Sequence, residues 1–330
     1  MPPRSAVAMT GRLLAIVGVA AVLVAGAALA AWSFSGNDSE ATTTVKHLNV
    51  PKLAAQPQPE LGPLPETPGA ARIDLSQPAA LGGFELAGPS AGLAFDLADG
   101  RLLWKRNPRL RRPIASLTKM MTGLLAVERL SPDDPVVLTR AVDKVGGSRM
   151  AGLKPGRSVN AEVLLKALMI SSSNNAAVAL AIAGAGSQRE WVRLMNKRAR
   201  LLGLECTRFV DPHGLNPGDR SCAADLAVLA MRAMAEPRIA RIAHKRNSRV
   251  WPGAGKKLML RTTNHLLRDR YPGAIGLKTG FTNPAGFCLV AVIERGTRRI
   301  GIVLLNDKDP WSSARRVARA AVRAGVLPQA

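Results

Sequence analysis

Residues 286–294, Gly286-Phe287-Cys288-Leu289-Val290-Ala291-Val292-Ile293-Glu294, and residues 298–305, Arg298-Arg299-Ile300-Gly301-Ile302-Val303-Leu304-Leu305, are two apolar runs parted by Arg295-Gly296-Thr297. Runs of this length around a short Gly-containing break read as a β-hairpin. A matching pattern lies far upstream, where 91–97 and 101–104 flank Asp99-Gly100, a dipeptide suited to tight hairpin turns. Between the two hairpins the spacing of apolar residues turns helical over 116–130, 161–169, 176–182, 189–202 and 223–235, and a last helix is expected over 311–324. Strands at both ends with helices between them predict an α+β domain whose sheet joins N- and C-terminal strands. The sequence contains no internal repeat.

Outward from this core the composition changes. Residues 34–85 carry Pro51, Pro57, Pro59, Pro63, Pro65, Pro68 and Pro78 among few bulky apolar side chains, which predicts a semi-extended, disordered linker. Before it, 13–32 is a run of twenty residues without a charge, with Arg4 and Arg12 ahead of it and the next basic residue at Lys46. That length suits a bilayer crossing at about 1.5 Å per residue. The charge bias places residues 1–12 in the cytoplasm and the rest of the chain outside. The expected segment, 13–33, is a transmembrane anchor or a signal peptide. Ala28-Leu29-Ala30 fits a cleavage site, but the run is long for a cleavable signal and favours an uncleaved anchor. The folded domain is then expected over 86–330.

Composition excludes several classes. With 46 Lys and Arg against 23 Asp and Glu the formal charge is +23, while 47% of residues are hydrophobic, so the chain is not disordered throughout. Aromatic residues make up 4%, too few for a base-stacking platform. Export also argues against nucleic acid as the partner of the basic surface, leaving anionic wall polymers or lipid headgroups. Three cysteines without CxxC spacing and four histidines without HExxH or HxH grouping offer no metal site.

Three short motifs carry chemistry. Ser116-Leu117-Thr118-Lys119 sits at the start of an expected helix, where residues i and i+3 share a face and a neutral Lys amine can take the proton of a Ser hydroxyl. Such a motif occurs about once by chance in a chain this long. Ser172-Ser173-Asn174 interrupts two apolar helices and, taken alone, reads as a helix cap. Lys278-Thr279-Gly280 follows Ile275 and Leu277; its glycine permits close backbone approach, its lysine attracts an anion, and a free strand edge can align a peptide.

In this order the three triplets resemble the active-site set of the penicillin-recognising serine enzymes. The flanking residues narrow the likeness to the D-alanyl-D-alanine carboxypeptidases, the low-molecular-mass penicillin-binding proteins. These include Pro113-Ile114-Ala115 before the first motif, Gly152-Leu153-Lys154-Pro155-Gly156, Phe209-Val210-Asp211-Pro212-His213-Gly214-Leu215, and Thr263-Asn264-His265-Leu266-Leu267. The resemblance runs from about 88 to 325. It implies a β-lactamase/transpeptidase-like α+β fold and a serine carboxypeptidase that trims the terminal D-Ala from peptidoglycan stem pentapeptides without metal or cofactor. By resemblance, Ser116 is the nucleophile, Lys119 the base, Ser172 a proton relay, and Asn174 a holder of Lys119 and the substrate amide. Lys278, Thr279 and Gly280 bind substrate, and the backbone N–H groups of Ser116 and Phe281 form the oxyanion hole. β-Lactams are the expected inhibitors.

Two features depart from the family pattern: Ser173 stands where Gly is usual and Asn175 where Asp is frequent. Both are expected to be tolerated. The segment 307–316 offers Arg315 and Arg316 but no clear counterpart of the family's carboxylate-binding arginine. Cys206 and Cys222 bracket the Asp211-Pro212-His213-Gly214 loop and are expected to form a disulfide; Cys288 is expected to pack as a small hydrophobe, and His213 to be structural. Alternatives are an endopeptidase acting on cross-links, a β-lactamase, whose common E-x-x-L-N motif is not matched by residues 190–196, and a non-catalytic wall-binding relative.

Overall fold

The five long strands expected or implied by the pattern come together in one antiparallel sheet. The computed structural model describes residues 73–253 and 255–329. The chain runs β1 (Ala91–Asp96), β2 (Leu102–Arg106), β3 (Arg112–Pro113), a 3-10 turn (Ala115–Thr118), α1 (Lys119–Arg129), β4 (Pro135–Val137), α2 (Ala141–Lys144), β5 (Ser158–Asn160), α3 (Ala161–Ile170), α4 (Asn174–Ala185) and α5 (Gln188–Leu201). It continues through β6 (Arg220–Ser221), α6 (Ala223–Ala235), α7 (Pro237–Ala243), β7 (Asn247–Val250), β8 (Leu258–Arg261), α8 (His265–Arg268), β9 (Ala274–Thr282), β10 (Gly286–Arg295), β11 (Arg298–Leu305) and α9 (Pro310–Arg323). The main sheet has the order β2-β1-β11-β10-β9. The N-terminal hairpin thus meets the C-terminal one through β1 and β11, with Ala91 opposite Leu305 and Asp96 opposite Ile300.

The β10 and β11 runs are apolar at every position because both faces of the sheet are covered. Cys288, Val290, Val292, Val303 and Leu305 point into a core shared with α1, α3, α4, α5, α6 and α7. Their neighbours Leu289, Ala291, Ile293, Ile300, Ile302 and Leu304 point the other way, onto Ala314, Val317, Ala318 and Ala321 of α9. Side chains alternate across a strand with period two, so one continuous run serves two layers.

Helix α4 is buried almost all round, which its Ala-rich sequence allows. Small side chains let its neighbours approach; the indole of Trp191 lies where a Cβ on Gly184 would come within 2.3 Å. Gly186 ends α4 in the left-handed conformation, and Ser187 caps α5 by accepting from Glu190 N.

The folded region begins earlier than the expected 86. Ala80 N and Leu81 N bond to the Leu102 and Leu103 carbonyls, and Ile73 and Leu81 are buried. Residues 80 and 81 thereby cover the outer edge of β2. Pro78 and the lack of periodicity hide this from a compositional reading. The expected span 13–33, and the linker up to residue 72, lie outside the described residues. Among the described residues no helix is long and apolar enough to cross a membrane.

Cys206 and Cys222 form the expected disulfide, with Cα atoms 5.6 Å apart, between α5 and α6. Closing a loop of this length contributes about 3 kcal/mol in the chain-entropy account. Asp225 lies beside the two sulfurs, but disulfide sulfur is not a thiolate ligand, and the carboxylate instead accepts from Cys206 N and Thr207 Oγ1. Cys288 is buried in β10, and burial pushes its thiol up to about 11.

Candidate active site

Ser116 lies in the 3-10 turn that feeds α1, and Lys119 is the first residue of that helix. One turn of separation brings Lys119 Nζ within 2.8 Å of Ser116 Oγ. The lysine is fully buried, and its amine also donates to the His213 carbonyl at 2.5 Å. Burial pulls the Lys119 pKa well below the usual lysine range; the neighbouring Lys278 lowers it further, while the negative charge of Asp211 opposes both. A lysine held this way can exist as a free amine, the form that accepts a proton.

The second triplet occupies the break between α3 and α4. Ser172 adopts a left-handed backbone, φ 57°, and its hydroxyl accepts from Lys278 Nζ at 2.9 Å. Asn174 departs from its expected role as a holder of Lys119. Its side-chain amide donates to the Gly146 carbonyl at 2.8 Å, and its buried Oδ1 has no partner among the described residues. The reason is the glycine pair before Ser148: a Cβ on Gly147 would lie 2.7 Å from Asn174 Nδ2, so the bare backbone comes close enough to take the amide.

Ser173 and Asn175, the two departures from the family pattern, clamp that same loop. Ser173 Oγ caps α4 and accepts from Met150 N, while Asn175 binds both the N–H and the carbonyl of Met150.

Lys278, Thr279 and Gly280 lie on β9, the strand at one end of the sheet. Lys278 is buried, and loss of hydration pulls its pKa down to about 7. Its amine bridges Ser172 Oγ and the Thr279 carbonyl. Thr279 Oγ1 pairs with Thr263 Oγ1 at 2.6 Å. Gly280 faces the nucleophile turn, where a Cβ would lie 3.0 Å from Ser116 N and from the Ile114 carbonyl, so glycine sets the spacing between β9 and Ser116. The Phe281 side chain is exposed and stacks on Phe287 across the hairpin, with ring centroids 4.5 Å apart.

A fourth segment, 210–219, backs the site. Asp211 accepts from the N–H groups of His213, Gly214 and Asn216, and Asp219 accepts from those of Val210 and Asp211. Thr122 of α1 donates to the Pro212 carbonyl at 2.7 Å. Gly214, at φ +87°, lies so close to the nucleophile turn that a Cβ would fall 1.9 Å from the Ala115 carbonyl oxygen. His213 enters the site through its main-chain carbonyl, not its ring, which sits 2.9 Å from Asp211 Oδ1. Burial together with the charge of Asp211 raises the Asp219 pKa. Asp211 is lowered against its own burial by its bonds to His213, to Asp219 and to Gly214 N. The negative charge of the pair therefore sits on Asp211.

Sequence reading missed Asp219, Thr122 and the Met150 clamp. The first two have no motif spacing and join the site through tertiary contacts. Arg315 and Arg316 lie elsewhere: Arg315 pairs with Asp269 and lies over Tyr271, and Arg316 reaches the Glu85 carbonyl.

Comparison with known proteins agrees with this geometry. Residues 85–309 match the family model for D-alanyl-D-alanine carboxypeptidase, Peptidase S11. The chain belongs to this family. It is 35% identical to the D-alanyl-D-alanine carboxypeptidase DacF of Bacillus subtilis over 64% of its own length, and spans 55% of the length of that relative. It is 34% identical to a D-alanyl-D-alanine endopeptidase of Escherichia coli, covering 72% of this chain and 75% of the other. The crystal structure of a D-alanyl-D-alanine carboxypeptidase from Mycobacterium tuberculosis superposes with a TM-score of 0.70 at 31% identity, covering 77% of this chain and 98% of that one. The fold is the penicillin-binding, transpeptidase-like α+β fold.

Proposed function

We propose that this protein is a serine D-Ala-D-Ala carboxypeptidase that removes the terminal D-Ala of peptidoglycan stem pentapeptides through an acyl-enzyme on Ser116. The observation that carries the reading is the hydrogen-bonded pair of Ser116 with a buried Lys119 of lowered pKa, set beside Ser172 and Lys278. Ser116 Oγ attacks the carbonyl carbon of the penultimate D-Ala while its proton passes to Lys119 Nζ. The oxyanion is held by the backbone N–H groups of Ser116 and Phe281. The C–N bond then breaks, and the proton moves through Ser172 to the leaving D-Ala amine. Water attacks the ester, releasing the shortened peptide and restoring the Ser116 hydroxyl.

Lys278 and Thr279 orient the substrate carboxylate, and the free edge of β9 aligns the peptide backbone, with Gly280 keeping the strand close to Ser116. Asn174 Oδ1, which has no partner among the described residues, accepts from a substrate amide. A β-lactam presents a carbonyl and a carboxylate to the same groups and acylates Ser116. Residues 13–33 anchor the chain at the outer face of the bacterial cell membrane, and the Pro-rich residues that follow act as a spacer.

The test is a time course of D-Ala release from a pentapeptide ending in D-Ala-D-Ala, with the wild type, Ser116→Ala and a penicillin-treated sample. Release lost in both controls supports the reading. Penicillin on Ser116 with cleavage only of cross-linked dimers would replace it with an endopeptidase. A folded protein showing neither release nor acylation would remove the enzymatic reading altogether.

A further inference from the structure

On the far side of the sheet from Ser116, a cavity of about 590 Å³ opens between the segment 80–85 and the outer face of α9. Arg316, Arg319 and Arg323 line one wall at i, i+3 and i+7, a spacing that puts all three on one helix face. Leu81 and Ala320 form a buried floor, and Phe84, held edge-on against Trp104, closes one side.

Three arginines face a single acid, Glu85, in this cavity. Arg319 and Arg323 have no hydrogen bond or ion pair among the described residues, and Arg316 has only the Glu85 carbonyl, at 3.4 Å. The one acid in the lining, Glu85, forms no ion pair there either. Arg315 on the same helix is different, paired with Asp269 and lying over Tyr271. A row of arginines on an exposed helix is ordinarily a solvated face. Here the three converge on a concave space beside apolar surface, and their full charges outweigh the roughly half charge of the nearby helix C-terminus. Arginine is the side chain best matched to phosphate oxygens, through paired N–H groups.

We propose that this cavity binds the phosphate of an anionic phospholipid headgroup, seating the domain on the membrane surface. The choice of lipid follows from the chain itself. The cavity wall at 80–85 lies within the first fourteen residues of the described domain, immediately after a Pro-rich stretch that leads back to an uncharged run of bilayer length at 13–32. An apolar run of that length would tether the domain beside the bilayer, where a basic site meets anionic headgroups at high effective concentration. The site is independent of the catalytic groups, and the proposal stands whether or not Ser116 acts as a carboxypeptidase nucleophile.

The experiment adds phospholipid nanodiscs to the purified full chain and follows amide hydrogen exchange in 80–85 and 316–324. One disc is wholly phosphatidylcholine and the other one-third phosphatidylglycerol, with a soluble poly(glycerol phosphate) as a separate arm. Slower exchange in both segments with the phosphatidylglycerol disc alone is expected, erased by high salt. Affinity for that disc should fall roughly five-fold for each arginine changed to glutamine. The R316Q/R319Q/R323Q variant should unfold in urea at a midpoint close to that of the wild type, which checks that it is folded. Equal protection by both discs, unchanged protection in the triple variant, or protection by the soluble polymer but not the disc would each overturn the assignment.

Discussion

The two faces of the sheet are built to opposite rules. Under α9, Leu289, Ala291, Ile293, Ile300, Ile302 and Leu304 meet Ala314, Val317, Ala318 and Ala321 in an apolar layer. On the helical-bundle side, near the end of β9, the buried residues include Lys119, Lys278, Ser172, Asn174 and Asp219. Ala115 and Ser172 there take left-handed backbone at φ 48° and 57° without being glycine. Regular packing stabilises the first face, whereas the second holds buried amines and strained backbone that the rest of the fold must offset. The difference teaches where stability and chemistry part company, and substitutions can separate them.

The largest effect should come from Gly214→Ala. Its Cβ would fall 1.9 Å from the Ala115 carbonyl oxygen, and its φ of +87° is unfavourable for alanine, so the nucleophile turn must move. Misplacing a reacting group by about 1 Å can lower a rate by about 100-fold. Penicillin acylation of Ser116 is expected to slow by at least that factor, measured by stopped-flow or intact-mass time course. A normal acylation rate would show that the 210–219 segment does not position Ser116.

Leu289→Ala probes the opposite face. Leu289 is fully buried in the α9 layer, and its truncation should reduce unfolding free energy by about 2–5 kcal/mol in urea titrations. The acylation rate of the folded protein should stay within about two-fold of wild type, since the truncated side chain packs in the α9 layer and the backbone pairing of Leu289 with Thr279 across β9 and β10 is kept. A rate that falls in step with stability would erase the contrast between the faces.

The pH dependence sharpens the contrast next. Both site lysines have pKa values lowered by burial, so between their folded and unfolded values the unfolded chain binds more protons than the native one. Their contribution to stability therefore rises with pH across that window, from about 7 for Lys278 up to the ordinary lysine range near 10.4. For activity, Lys119 must lose its proton and Lys278 must keep its own. The kcat/KM for D-Ala release should accordingly be bell-shaped, with the alkaline limb near pH 7 set by Lys278 in the free protein. In Lys278→Arg, whose guanidinium does not titrate in this range, the alkaline limb should vanish even though kcat/KM is lower throughout. Persistence of that limb would assign it to another group.

The legibility of the molecule in its sequence follows the same division. The hairpins and most long helices could be read because their signals are local: the Asp99-Gly100 turn, the apolar runs on either side of Gly296, and the periodicity of α1 and α6. Ser116, Lys119, Ser172 and Lys278 could be read because each lies in a short motif with fixed internal spacing. Asp219 could not, since only folding brings its carboxyl against Asp211 beneath Lys119. Nor could the grip of Ser173 and Asn175 on Met150, which joins residues 23 and 25 positions apart. The start of the domain was hidden for a similar reason: residues 80 and 81 bond to β2 through their backbone, and backbone hydrogen bonds leave little trace in composition.

Asp219→Asn should have the smallest effect and gives the finest test of the site's electrostatics. Burial and the charge of Asp211 keep Asp219 protonated, and its neutral carboxyl accepts from Val210 N and Asp211 N. Asparagine preserves the shape, the neutrality and an acceptor for those N–H groups. Acylation by penicillin should then change by no more than about three-fold, and the acid limb of the pH profile by no more than about 0.5 pH unit, at roughly 1.36 kcal/mol per unit. Asp211→Asn removes the negative charge that opposes the lowering of the Lys119 pKa, so it should shift the acid limb to lower pH as Lys119 loses its proton more readily. If Asp219→Asn instead shifts that limb and Asp211→Asn leaves it in place, the charge resides on Asp219. The electrostatic support of the 210–219 segment would then run through the opposite carboxyl.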